Sequence, residues 1–237
     1  MHGSVVGGRP TWREQRRTIT DEAELVVLER PGFEPGSDER IDFEAHARWV
    51  AKRVAPGDHL VGHSYGGVIA LLTAAGVGEG LASLTVIEPP CTSVALDDPA
   101  VADFAAAGAE LWAHGPRHDP EAFLRAFLLA VGSDYVPPSP LPPELEQGVR
   151  ALVAERGPWE AEISLAKLAA LALPVLVVSG AHHAAFDRIC DVLERELRAE
   201  RLVIPGHGHN PQVDPAFTEA LLAFVNRADL IRKSRRG

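Results

Sequence analysis

Gly62-His63-Ser64-Tyr65-Gly66 is the segment of this 237-residue chain whose residue types and spacing most clearly ask for covalent chemistry. It fits G-x-S-x-G, a pattern that a chain of this composition produces by chance roughly 0.08 times. The pattern lies between a short apolar run and a stretch rich in small residues, the strand-to-helix setting of a nucleophile elbow. Such an elbow lifts the serine above a sheet edge on a tight turn. Glycines two before and two after leave room for the neighbouring strand and helix, and Gly67 extends that small surface. The helix N-terminus beneath the serine favours the negative charge that develops in acyl transfer. The competing reading is a glycine-rich turn with a solvent-facing serine.

The elements that must hold this serine are legible from periodicity. Apolar runs bounded by turn residues alternate with amphipathic stretches, the pattern of a parallel α/β architecture. Strands are predicted at 24–29, 59–62, 84–88, 174–179 and 201–204. Helices are predicted at 42–54, with Asp42 as cap, at 65–75, at 185–198, and from Asp214-Pro215 to about Arg227. Residues 92–165 show helical patterns without a convincing strand and read as a helical insertion. Within it, the proline-rich 136–143 reads as an extended connector. Its aromatics Phe104, Trp112, Phe123, Phe127, Tyr135 and Trp159 have two readings, a small core of their own or the lining of a ligand pocket.

On these residues the sequence resembles the α/β-hydrolase fold family. The resemblance rests on GHSYGG at 62–67, Arg30-Pro31-Gly32 after an earlier strand, a helical middle, and a late Gly208-His209. It implies a core of 1–91 and 166–237, a mostly parallel sheet flanked by helices, and a helical cap at 92–165. The family's triad runs Ser, acid, His. That order implies Ser64 as nucleophile and His209 as base, with His207 its rival. The family's commonest acid position falls on His183, which cannot serve. Other members carry the acid after the preceding strand, here Glu88; Asp187 is the alternative, and a solvated strand end with no acid is the third reading. The oxyanion hole is implied to use the backbone N–H groups of Tyr65 and Ser4. The implied activity is a serine hydrolase acting on an ester, thioester or lactone of a small to medium, mostly neutral substrate. An acyltransferase, a C–C bond hydrolase, a cofactor-free peroxidase-like enzyme and a non-catalytic ligand-binding relative remain open.

The chain departs from the family at its start. The loop expected to follow a central strand begins at His2-Gly3-Ser4, so that strand is expected to be missing between 24–29 and 59–62. Such a gap leaves unpaired backbone groups in a buried sheet, and each orphan costs roughly 1–3 kcal/mol. The expectation is a coding start placed too far downstream, or pairing with another chain as a homodimer. Twenty arginines against three lysines, with abundant Ala, Gly and Pro, point to a GC-rich coding sequence in which starts are easily misplaced.

The composition narrows the remaining classes. A net charge of −10 argues against nucleic-acid binding. The basic cluster Arg232, Lys233, Arg235 and Arg236 reads as a solvated tail. Two cysteines, Cys91 and Cys190, make no disulfide framework, and a reducing compartment is the default. No signal peptide and no apolar run of spanning length is visible, so a cytoplasmic protein without a membrane partner is expected. His182, His183, His207 and His209 can be read as metal ligands, but no carboxylate-rich motif accompanies them. No nucleotide fingerprint appears either, and neither metal nor cofactor is expected.

Overall fold

A computed structural model of the chain describes residues 1–19, 23–34 and 42–234. Four strands form one parallel sheet in the order β1 (His59–His63), β2 (Ser83–Ile87), β3 (Val175–Ser179) and β4 (Glu200–Val203). The register sets Gly62 against Val86, Val86 against Val177, and Val177 against Arg201. Strands β2 and β3 are buried along their whole length, as expected of parallel strands covered on both faces.

Alternation along these strands separates two apolar layers. Leu84, Val86, Val175 and Val177 join the layer of α3 (Phe43–Ala51), α4 (Tyr65–Val77), α8 (Leu165–Ala170) and α9 (Ala184–Leu197). Ile87, Leu176 and Val178 join the layer of α10 (Pro215–Ser234) and of Trp12, which lies between the short helices α1 (Gly8–Thr11) and α2 (Arg13–Thr18). The predicted helix at 42–54 ends at Ala51, and its N-terminus is capped by Asp42 as the sequence predicts. The last helix runs to Ser234 rather than Arg227. Arg235 and Arg236 lie outside the described residues, while Arg232 reaches Asp229 at 3.6 Å.

Between β2 and β3 lies a helical segment. It contains α5 (Pro99–His114), α6 (Pro120–Ala130) and α7 (Pro143–Ala154). Asp98 and Asp119 cap α5 and α6, each followed by proline at the first helical position. Phe123, Leu124, Val149 and Leu152 form a small core there with Val5.

One predicted strand is not formed. Residues 24–29 join no sheet, and β1 is the sheet's edge among the described residues. A cavity of about 500 Å³ separates the two, lined by Leu25, Val27 and Leu28 on one side and His59, Leu60 and Val61 on the other. Backbone groups that far apart cannot bond, so an apolar run with strand composition stays unpaired and Val26 is 67% exposed. The edge of β1 is met at its C-terminal end by Met1. Its amino group donates to the Val61 carbonyl, and its carbonyl accepts from His63 N–H at 3.0 Å. Among the described residues no helix is long and apolar enough to cross a membrane.

Candidate active site

The site is built beyond the C-terminal ends of β1, β2, β3 and β4. Ser64 follows β1 in a strained backbone of positive φ, φ 54° and ψ −125°, at the N-terminus of α4. A conformation of this kind costs a non-glycine residue about 1–3 kcal/mol and persists where its surroundings enforce it. Ser64 N–H donates to the Ile87 carbonyl at 2.8 Å. A Cβ on Gly62 would lie 2.3 Å from the Gly66 carbonyl oxygen, and one on Gly66 would lie 2.3 Å from that of His2. The two glycines of the motif therefore do what the sequence assigns them: they let strand, helix and N-terminal loop close on one turn.

Glu88 follows β2 directly, also left-handed at φ 49°, and is fully buried. Its Oε1 accepts from Gly180 N–H at 2.5 Å, and its Oε2 lies 3.3 Å from His209 Nδ1. His209 Nε2 in turn lies 2.9 Å from Ser64 Oγ. The three residues form a chain from carboxylate through imidazole to hydroxyl. These partners assign the ring's proton to Nδ1 and leave Nε2 as the acceptor facing the hydroxyl.

Burial is the main electrostatic influence on both partners. It pulls His209 down from the ordinary histidine range, and His182 and His183 pull in the same direction. The ring is thus a neutral base at pH 7. Burial pushes Glu88 up to about 7, opposed chiefly by the Gly180 N–H.

The other candidates fall elsewhere. Asp187 sits in the first turn of α9, 3.9 Å from Arg201, so Glu88 rather than Asp187 meets His209. His207 pairs with Asp214 at 2.9 Å near the surface. His183 caps α9 through Ala185 N–H.

Ser4 and Ser64 line the same cavities. A Cβ on Gly3 would lie 2.8 Å from Ser64 Cβ, so the residue 2–4 loop rests against the serine. Tyr65 is the first residue of α4, whose N–H has no intrahelical partner.

Two features of the site were not singled out from the sequence. His63 Nε2 donates to the His209 carbonyl at 2.7 Å, tying the histidine loop to the serine turn. Arg30 is wholly buried; its guanidinium donates to the Gly3 carbonyl at 2.8 Å and to Glu155 at 2.6 Å. Glu155 also accepts from Ser4 Oγ. The signal for Arg30 was present, because Arg30-Pro31-Gly32 carried part of the resemblance. Nothing local marks Glu155, which is 125 residues away.

Two cavities meet at Ser64. One of about 40 Å³ is walled by Phe104, Trp112, Phe127, Trp159 and Phe186. The other, about 510 Å³, runs past Leu124, Phe127, Leu128, Val131 and Tyr135. Both readings of the insertion's aromatics therefore apply: Phe123 builds the insertion's own core, and five of the six line space next to the serine. Glu88, His182 and His209 each bring a donor atom within 4.8 Å of the others. The sequence reading had the two histidines but not the carboxylate.

The chain belongs to the alpha/beta hydrolase family, whose model matches residues 1–221. Solved structures share the fold. MenH from S. aureus aligns with a TM-score of 0.70 at 18% identity, covering 97% of this chain and 92% of that one. A thermophilic esterase from Thermogutta terrifontis aligns at 0.61 with 22% identity, covering 96% and 88%. A membrane phospholipase A aligns at 0.70 with 23% identity, covering 96% and 77%. A comparison with curated proteins finds no match.

Proposed function

We propose that this chain is a serine hydrolase that cleaves a small to medium, mostly neutral ester through an acyl-enzyme on Ser64. The observation that carries the reading is the 2.9 Å contact of Ser64 Oγ with His209 Nε2, with Glu88 on the far side of the ring.

The steps follow from the atoms. Ser64 Oγ attacks the ester carbonyl carbon while His209 Nε2 takes its proton. Glu88 holds the ring in the right tautomer and stabilises the imidazolium that forms. The carbonyl oxygen becomes an oxyanion, received by the N–H groups of Tyr65 and Ser4. His209 gives its proton to the departing alkoxide as the C–O bond breaks. Water then repeats the sequence on the acyl-enzyme, freeing the acid and restoring Ser64.

The sizes of the two cavities support this choice of substrate class. The 40 Å³ recess holds a few heavy atoms at most, while the 510 Å³ cavity accepts a longer apolar chain. Short and medium p-nitrophenyl esters test this. Turnover that rises from acetate to a medium chain and falls for long chains is the expected result. No turnover across the series above a Ser64→Ala control would overturn the reading.

A further inference from the structure

His182 presents a buried nitrogen with nothing to bond. Its Nε2 lies 3.0 Å from the Val131 carbonyl, an acceptor, so Nε2 carries the ring proton. Its Nδ1 is buried, makes no hydrogen bond among the described residues, and faces Glu88 Oε2 at 3.6 Å. A cation held by this nitrogen and the carboxylate would give both a partner.

We propose that Glu88, His182 and His209 form a binding site for a zinc-like divalent cation, and that its occupation switches the serine off. Two imidazoles and a carboxylate are a ligand set that zinc accepts, with water completing a tetrahedron. Donors held at ~2.0–2.2 Å from one zinc ion stand roughly 3.3–3.6 Å apart. Glu88 Oε2 is already 3.3 Å from His209 Nδ1 and 3.6 Å from His182 Nδ1, and all three donor atoms lie within 4.8 Å of one another, so a small closing shift of the two rings completes the set. Gly180 N–H holds the second carboxylate oxygen, and the Val131 carbonyl holds the outer nitrogen of His182. Such outer partners orient metal ligands.

Switching off follows from the tautomer. A cation on His209 Nδ1 requires the ring proton to sit on Nε2. The proton moves across the ring, His209 stays neutral, and no oxidant or co-reactant is involved. Nε2–H then donates to Ser64 Oγ instead of accepting from it, and the nucleophile has no base. This inhibitory half rests on the proposed triad; cation binding itself does not.

The two halves are measured apart. Zinc is titrated into Ser64→Ala protein against a chromogenic chelator, which needs no turnover. One zinc per chain is expected, with affinity weakened by roughly tenfold or more in Ser64→Ala/His182→Gln. The glutamine amide can still donate to the Val131 carbonyl but is a poor zinc ligand. Ester hydrolysis by protein with Ser64 intact should fall with zinc and return with EDTA. Its zinc midpoint should rise by the same factor in His182→Gln, each protein being normalised to its own rate in EDTA. Should that variant fail to fold, Co²⁺ added to protein with His182 intact should give tetrahedral d–d bands that zinc abolishes. Binding below one equivalent, equal affinity with and without His182, or no tetrahedral cobalt spectrum overturns the site. Stoichiometric zinc binding by a protein that hydrolyses no ester in EDTA leaves the site standing and overturns the proposed function.

Discussion

Glu88 Oε2 and His209 Nδ1 stand 3.3 Å apart although 121 residues separate them in the chain. Three loops, after the successive strands β2, β3 and β4, make this possible. Gly180, at the end of β3, donates to the other Glu88 oxygen, and a Cβ on Gly180 would strike the Gly208 carbonyl oxygen at 2.0 Å. The same glycine thus fixes the carboxylate and lets the histidine loop approach it.

If Glu88 is the acid of the triad, Glu88→Gln removes the acceptor for His209 Nδ1–H and should lower kcat/KM by roughly 100- to 10,000-fold. Asp187→Asn should leave kcat/KM within about threefold, because Asp187 faces Arg201 instead. Steady-state kinetics of the two variants on one ester decides. A loss confined to Asp187→Asn would contradict the assignment.

The pH profile should show an acid limb well above the ordinary carboxylate range. Burial raises Glu88 to about 7, whereas His209 is lowered and already neutral there. Protonating Glu88 removes the acceptor for Nδ1–H, so kcat/KM should fall as pH drops through about 7. The apparent value belongs to the coupled pair. A limb near 4 to 5 would mean that Glu88 is not the titrating group.

Gly66→Ala should cripple the elbow. The added Cβ would lie 2.3 Å from the His2 carbonyl oxygen and 2.7 Å from that of Met1, and both are backbone atoms with little freedom to yield. A destabilisation of ~1–3 kcal/mol or more is expected, read as a lowered midpoint in urea unfolding. Gly76→Ala is the control, since its Cβ meets nothing within 4 Å.

Arg30→Met should cost ~3–5 kcal/mol by leaving Glu155 charged and unpaired in a buried site. It should also loosen the loop that carries Ser4, because Arg30 holds the Gly3 carbonyl and Glu155 holds the Ser4 hydroxyl. The double replacement Arg30→Met/Glu155→Leu should recover much of the stability without restoring the loop. Chemical unfolding together with kcat separates the two effects.

Much of this arrangement could be read from residue order. Local patterns marked Ser64, because strand, glycine spacing and helix are contiguous. Asp42 and Asp214 open their helices for equally local reasons. Glu88 and His209 needed the strand order of a resembling family, since nothing near either residue reveals its partner. Residues 24–29 have strand composition but join no sheet, because composition does not supply a neighbour; a cavity of about 500 Å³ lies between ELVVLE and β1, where the sequence leads one to expect a missing strand. Arg30–Glu155 and His182–Glu88 were illegible for a further reason. Each is a tertiary contact between a loop and a distant segment, with no periodicity to announce it.

In the proposed mechanism His209 activates Ser64. Intact-protein mass spectrometry after treatment with a fluorophosphonate tests it without knowledge of the substrate. One adduct per chain is expected, mapped to Ser64 and absent from both Ser64→Ala and His209→Gln. An unlabelled protein, or labelling that survives in His209→Gln, would contradict it.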